Sequence, residues 1–168
     1  MKRLTAFDHA ALIALIASLT LAGAWMFQAF GYQPCELCLK QRLAYYYGIP
    51  LAVLVMFMAL GTRYSSLVGL GLVALGLIFG ANALFGVYHS GVEWGFWPGP
   101  SECSGADTTA AKVEDFLKQL ESVKVVRCDA VAIRIFGLSL AGWNAVICAA
   151  LAALAVSDAW GNLRLTQA

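Results

Sequence analysis

The chain has 168 residues, of which 61% are hydrophobic and only 12% are Asp, Glu, Lys or Arg. Its mean hydropathy of +0.74 is too high for a soluble domain of ordinary composition, and its net charge of +1 gives no electrostatic basis for binding nucleic acid. A protein embedded in a lipid bilayer is therefore expected.

Four apolar runs have about the length, near 20 residues, that crosses a bilayer. They cover residues 10–30, 43–60, 67–88 and 138–156. Since none contains Asp, Glu, Lys or Arg, we predict an all-α membrane protein: a four-transmembrane-helix bundle forming one domain over residues 1–168. The first run also resembles a cleavable signal peptide, because Met1-Lys2-Arg3 precedes it and "LAGA" lies within its second half. We expect it to be retained, since four spans close a compact bundle.

Small and polar residues inside these runs suggest how the helices pack. Gly76 and Gly80 form a small-xxx-small pair that lets two backbones approach, and Asn82 and Asn144 can hydrogen-bond between helices. Cys148 lies deep in the last run, where we expect it to be a small buried hydrophobic residue.

Four crossings would place both chain ends on one side of the membrane and residues 31–42 and 89–137 on the other. Lysine and arginine near the termini favour cytoplasmic ends, and cysteine pairs that cycle through disulfides belong in an oxidising space. Residues 31–42 and 89–137 are therefore predicted to be periplasmic loops. Within the second loop, apolar residues recur at i, i+3, i+4 and i+7, which predicts an amphipathic surface helix over residues 108–123.

Four of the five cysteines fall in these two loops: Cys35, Cys38, Cys103 and Cys128. They allow three pairings. A zinc site would usually need a second close pair or histidines at ligand spacing, so we expect no metal. A disulfide between Cys103 and Cys128 could also act only as a brace, contributing about 3 kcal/mol by closing its loop.

The C-x-x-C pair has features of a reactive site. Pro34 precedes it, so Cys38 falls at the start of a helix, where free backbone N–H groups favour a thiolate. Arg42 follows four residues later, on the same helix face. We therefore predict that Cys38 is the more acidic sulfur and that Cys35 is the more thiol-like one.

A reduced pair facing an oxidising compartment must pass its electrons to an acceptor, and a lipid-soluble quinone can reach a thiolate at the membrane boundary. We predict that Arg42 binds a carbonyl oxygen of ubiquinone or menaquinone, with Cys38 beneath the ring. His89, at the end of the third run, would supply a hydrogen bond or a proton.

Three segments carry a family resemblance: "CELCLKQR", "YHSGVEWGFWPGPSEC" and "RCDAVAIRIFGLSLAGWNA". In order and spacing they resemble the disulfide bond formation protein B (DsbB) family, quinone-linked thiol oxidases of the bacterial inner membrane. The resemblance implies a periplasmic thioredoxin-like partner of the DsbA type.

The resemblance also implies a role for each cysteine. Cys103 would form the mixed disulfide with the partner, and Cys128 would then attack Cys35. Cys38 would be released as the thiolate that reduces the quinone, and Arg42 would bind the quinone oxygen.

Two alternatives remain open from the sequence. A vitamin K epoxide reductase-like enzyme also couples thiols to a quinone, but that family usually places its C-x-x-C after the loop cysteines, whereas here it comes first. A non-catalytic membrane scaffold braced by disulfides would need neither a reactive Cys38 nor Arg42.

Overall fold

The structure is a computed structural model, and it describes residues 5–61, 65–100 and 127–165. Most of these residues lie in four long helices: α1 (Ala6–Ala29), α2 (Glu36–Met58), α3 (Ser65–Glu93) and α4 (Leu140–Leu165). Two short strands, β1 (Arg134–Ile135) and β2 (Leu138–Ser139), precede α4. Cys103 and the amphipathic helix predicted at 108–123 lie outside the described residues.

Three of the helices are long and apolar enough to cross a membrane: α1, α3 over Ser66–Glu93, and α4 over Leu140–Asp158. The second predicted run lies in α2, but α2 is not among the candidate spans found in the described part of the chain. Its first two turns, from Glu36 to Arg42, are largely polar. Crossing of the bilayer by α2, and with it the count of four spans, stays a prediction.

The bounds of two helices differ from those of the predicted runs. α2 begins at Glu36 rather than near residue 43, because Cys35 caps its first turn and Glu36 pairs with Lys40 at 3.4 Å one turn later. α3 continues to Glu93 rather than ending near residue 88. Part of the predicted loop 31–42 is therefore helical, and His89 lies within a helix instead of at its end.

All four helices contribute to one apolar core. Its largest fully buried side chains are Ile13, Val55, Leu72, Leu75, Phe79 and Leu151. Large apolar residues such as Leu19, Leu77 and Leu84 are instead exposed on the outer faces. Such an apolar exterior is suited to lipid, which replaces water around helices whose backbone groups are bonded internally.

A polar network inside the core links three helices. The Tyr45 hydroxyl donates to Asn144 Oδ1 at 2.6 Å and lies 3.2 Å from Cys148 Sγ, and Asn82 Nδ2 donates to the same sulfur at 3.2 Å. Cys148 is fully buried, as predicted. The predicted hydrogen bonding of Asn82 and Asn144 between helices is also confirmed, with α2 supplying the tyrosine.

The segment after α3 folds back onto that helix. Trp97 Nε1 donates to the Tyr88 carbonyl oxygen at 2.9 Å, and the two rings stack with centroids 6.0 Å apart. A Cβ atom on Gly91 would overlap the Trp97 ring. Gly91 is therefore what allows the tryptophan to lie flat against α3.

The two short strands form an antiparallel hairpin in front of α4. Its turn residues Phe136 and Gly137 have φ of 50° and 83°, which is the signature of a two-residue turn whose twist matches the strands. Trp143 Nε1 donates to the Ile135 carbonyl oxygen at 2.9 Å and so fixes the hairpin to α4. The sequence analysis did not predict this hairpin, having assigned residue 138 onward to the last span.

Gly86 and Gly80 provide a test of the packing between α3 and α4. A Cβ on Gly86 would lie 3.0 Å from the backbone nitrogen of Ala145, which cannot rotate away, whereas a Cβ on Gly80 would make an ordinary 3.9 Å contact with Ala152. We expect Gly86→Ala to destabilise the protein by about 1–3 kcal/mol and Gly80→Ala to be neutral or slightly stabilising. Thermal unfolding in detergent measures both, and equal effects would contradict this packing.

Candidate redox site

Cys35 and Cys38 lie at the N-terminus of α2 as a pair of thiols. Cys35 occupies the N-cap position, and its Sγ accepts a hydrogen bond from the Cys38 backbone N–H at 3.3 Å. The two Sγ atoms are 3.0 Å apart, against about 2.05 Å in a disulfide. The pair is thus a dithiol whose sulfurs need to approach only slightly to become a disulfide.

Hydrogen bonds to Cys35 decide which sulfur is the more acidic. The Cys38 sulfur, 3.0 Å away, the His89 ring and the Cys38 backbone N–H together lower the pKa of Cys35. The same contact between the two sulfurs, together with burial, raises the pKa of Cys38. The prediction that Cys38 is the more acidic sulfur is therefore wrong, because Cys35 occupies the cap where the free backbone N–H points.

His89 reaches this pair from α3. It is only 1% exposed, its Nε2 lies 3.6 Å from Cys35 Sγ, and its Nδ1 lies 3.0 Å from Gln41 Nε2. The structure therefore places the ring against the cysteines, and His89 is not among the residues that line the cavity described below. The role expected for His89 at a quinone stays a prediction.

Arg42 is directed towards α1. Its guanidinium donates to Gln28 Oε1 at 2.7 Å and to the Ala24 carbonyl oxygen at 3.3 Å. The sequence analysis expected this group beside the Cys38 sulfur. Instead, the guanidinium donates to two acceptors on a neighbouring helix.

A cavity of about 380 Å³ opens between α1, α2, α4 and the hairpin. Cys38 and Arg42 both line it, so the structure brings the two predicted residues to one space without joining them directly. Most of the wall is apolar, with hydrogen-bonding side chains from Thr20, Gln33, Gln41, Arg42, Tyr45 and Asn144. An apolar chamber of this size with a few polar groups is typical of a small-molecule site.

Cys128 packs with the cysteine pair in a buried cluster. It is disulfide-bonded and 1% exposed, and it belongs to the same buried cluster as Cys35, Leu37 and Val92. The structure therefore brings Cys128 into one cluster with the C-x-x-C pair. Cys103 lies outside the described residues.

The sequence analysis missed three polar residues of the site. Gln41 joins His89 to the cavity wall, Gln28 anchors Arg42, and Tyr45 donates to Asn144. Gln41 lies three residues after Cys38, on the same helix face, which was an available signal. Nothing local marked Gln28, because its role depends on how α1 packs against α2.

Comparison with known proteins gives one match. The protein-family model described as DsbB, disulfide bond formation protein DsbB, matches residues 8–157. No curated protein and no solved structure matches the chain. The matched range contains the cysteine pair, Arg42, His89 and both loop cysteines, and it covers most of the chain. The chain therefore belongs to the DsbB family and is a membrane oxidoreductase that forms disulfide bonds.

Proposed function

We propose that this protein is a quinone-dependent thiol oxidase: it reoxidises a periplasmic thioredoxin-like dithiol protein of the DsbA type and passes two electrons to ubiquinone or menaquinone. One observation carries the proposal. Cys38 lines the 380 Å³ cavity, whereas Cys35 is buried beside the disulfide-bonded Cys128. The cysteine pair thus contacts both a buried cluster that holds a disulfide-bonded cysteine and a cavity that could hold an acceptor.

The residues of the cavity fit a quinone head group. Its apolar walls suit the ring, and Arg42 offers a cationic donor that is already held in place by Gln28. Asn144 Nδ2 is buried without a hydrogen-bond partner in the described part of the chain. An unsatisfied donor in a cavity wall is costly, and a carbonyl ligand is one group that would relieve that cost after a small adjustment of the side chain.

The four loop cysteines would carry the electrons by ordinary thiolate attack on disulfides. A partner thiolate attacks Cys103 and releases Cys128, which attacks Cys35 and releases Cys38. The partner's second thiolate then displaces Cys103, which rejoins Cys128 and releases Cys35. The partner leaves with a disulfide, and the chain is left with a thiol at Cys35 and at Cys38 and a re-formed loop disulfide.

The described cysteines are in the state that this sequence of steps produces. Cys35 and Cys38 are thiols, and Cys128 is in a disulfide. We propose Cys103 as the other half of that disulfide, since Cys148 is a thiol in the core. In the last step Cys35 and Cys38 join. A quinone in the cavity would accept the two electrons and two protons released.

The same proposal fixes the orientation in the membrane. α2 would cross the bilayer as the second of four spans, although its first turns are polar. Both termini would then be cytoplasmic, and the cysteines would face the periplasm of a bacterium, where a thioredoxin-like partner can reach them. The domain 1–168 would act as one unit in the inner membrane.

Turnover requires Cys38. With a reduced thioredoxin-like partner and a ubiquinone analogue, the purified protein in detergent should consume one quinone per disulfide formed. Cys38→Ser should abolish turnover, because no disulfide with Cys35 can form beside the cavity. Cys148→Ala should retain turnover, because Cys148 takes no part in the proposed exchange, and any effect should fall on the KM for the quinone through the contacts of Cys148 with Tyr45 and Asn144. Normal turnover by Cys38→Ser would refute the proposal.

Arg42 is expected to contribute to quinone binding. Arg42→Met should raise the KM for the quinone by about 10- to 100-fold, the loss expected for a hydrogen bond to a charged group, while the KM for the partner stays unchanged. Gln28→Leu should act in the same direction but less strongly, since it removes only the anchor of Arg42. Lys40→Met is the matched control, because it removes a nearby cation that does not line the cavity. An effect of Arg42→Met on the partner alone would contradict this assignment.

A further inference from the structure

We propose that the dithiol form of this protein binds a thiophilic divalent metal ion, such as zinc or cadmium, through Cys35, Cys38 and His89. A metal ion held there would block oxidation of the pair. The three ligand atoms lie within 4.8 Å of one another. This site is independent of the proposed quinone chemistry, since metal binding would need neither the partner nor the acceptor.

The geometry is close to that of a zinc site. Zinc–sulfur bonds of about 2.3 Å and zinc–nitrogen bonds of about 2.0 Å in a tetrahedron place neighbouring ligand atoms about 3.5–3.8 Å apart. Cys35 Sγ and His89 Nε2 are already 3.6 Å apart. The two sulfurs, 3.0 Å apart, would separate slightly, which a small rotation of the half-buried Cys38 side chain can supply.

Electrostatics favours a divalent ion over two bare thiolates. Two negative sulfurs at this distance repel each other, and Cys35 and His89 are almost fully buried, so both thiolates cannot exist there without a counter-charge. A divalent cation neutralises both. Each thiol gives its proton to solvent and gains a metal–sulfur bond, and no electrons are transferred.

The surroundings provide two further features of a metal site. Gln41 Nε2 lies 3.0 Å from His89 Nδ1, the ring nitrogen that does not face the cysteines. A hydrogen-bond partner at this second nitrogen orients a histidine that binds a metal ion. When Nδ1 carries the proton, the Gln41 amide can rotate so that its oxygen accepts the hydrogen bond. Cys38 lines the cavity, which would give the ion an entry path and leave a fourth position for water.

Such a site would be controlled by the redox state of the pair. A disulfide between Cys35 and Cys38 removes both thiolates, so metal binding and oxidation exclude each other.

The expectation of no metal rested on local spacing, which lacks a nearby histidine. His89 is 54 positions from Cys35 in the sequence, and only the packing of α3 against the start of α2 completes the ligand set.

The test uses the full-length chain with Cys103→Ser and Cys128→Ser, so that the loop cysteines cannot bind metal. Anaerobic titration of the reduced protein in detergent with Cd²⁺ should show the ultraviolet thiolate–cadmium charge-transfer band, saturating at one ion per chain. The protein oxidised at Cys35 and Cys38 should show none. Absence of a saturable band, or the same band after oxidation, would overturn the proposal.

Variants distinguish Cd²⁺ binding at this three-residue site from nonspecific binding of Cd²⁺ to thiols. Gln41→Leu should weaken Cd²⁺ binding by about 10-fold, because it removes the hydrogen-bond partner of His89. His89→Ala, which removes a ligand itself, should weaken binding further. His9→Ala, at the chain's other histidine, should leave it unchanged. Since loss of the buried His89 ring costs packing, the thermal midpoint with and without Cd²⁺ is measured as well. Cd²⁺ should raise the midpoint of the reduced parent chain and of His9→Ala more than that of the His89 variant, and equal stabilisation of the His89 variant would refute the site.

Discussion

The hydrogen bonds that meet at the Cys35 sulfur hold the whole site together. The Cys38 sulfur lies 3.0 Å from this atom, the Cys38 backbone N–H donates to it at 3.3 Å, and His89 Nε2 lies 3.6 Å away. Because Cys35 caps α2, its sulfur turns back towards α3 and Cys128, while Cys38, one turn along, borders the cavity. One local feature of the backbone, the N-cap, therefore gives the two sulfurs of the pair different neighbours.

Polar side chains of α2 connect it to each of the other helices. Gln41 contacts α3 through His89, Arg42 contacts α1 through Gln28, and Tyr45 contacts α4 through Asn144. In a bilayer the hydrophobic effect does not hold helices together, so hydrogen bonds and close packing fix their positions. The same polarity explains why α2 is less apolar than the other three helices, and it places polar groups around the cavity.

At the level of the fold, the apolar runs predicted where the helices lie, because a backbone in lipid must satisfy its own hydrogen bonds. The bounds were less accurate. The helices α2 and α3 extend into polar sequence at the membrane boundary, where hydropathy falls but the helical hydrogen bonds continue. The hairpin before α4 was missed, since strands of two residues are too short to show any periodicity.

At the level of the site, the sequence by itself determined the chemistry: two cysteines one turn apart at a helix start, an arginine one turn further on, and the family to which they belong. These are properties of neighbouring residues, and helix geometry fixes them. The N-cap that makes Cys35 the more acidic sulfur is also a local feature, and it was not recognised from the sequence. Only the tertiary structure decided that Arg42 binds Gln28 and that His89 lies against the cysteines. Those contacts depend on side-chain directions at helix interfaces, set to within an ångström by packing between distant parts of the chain, and no local pattern encodes them.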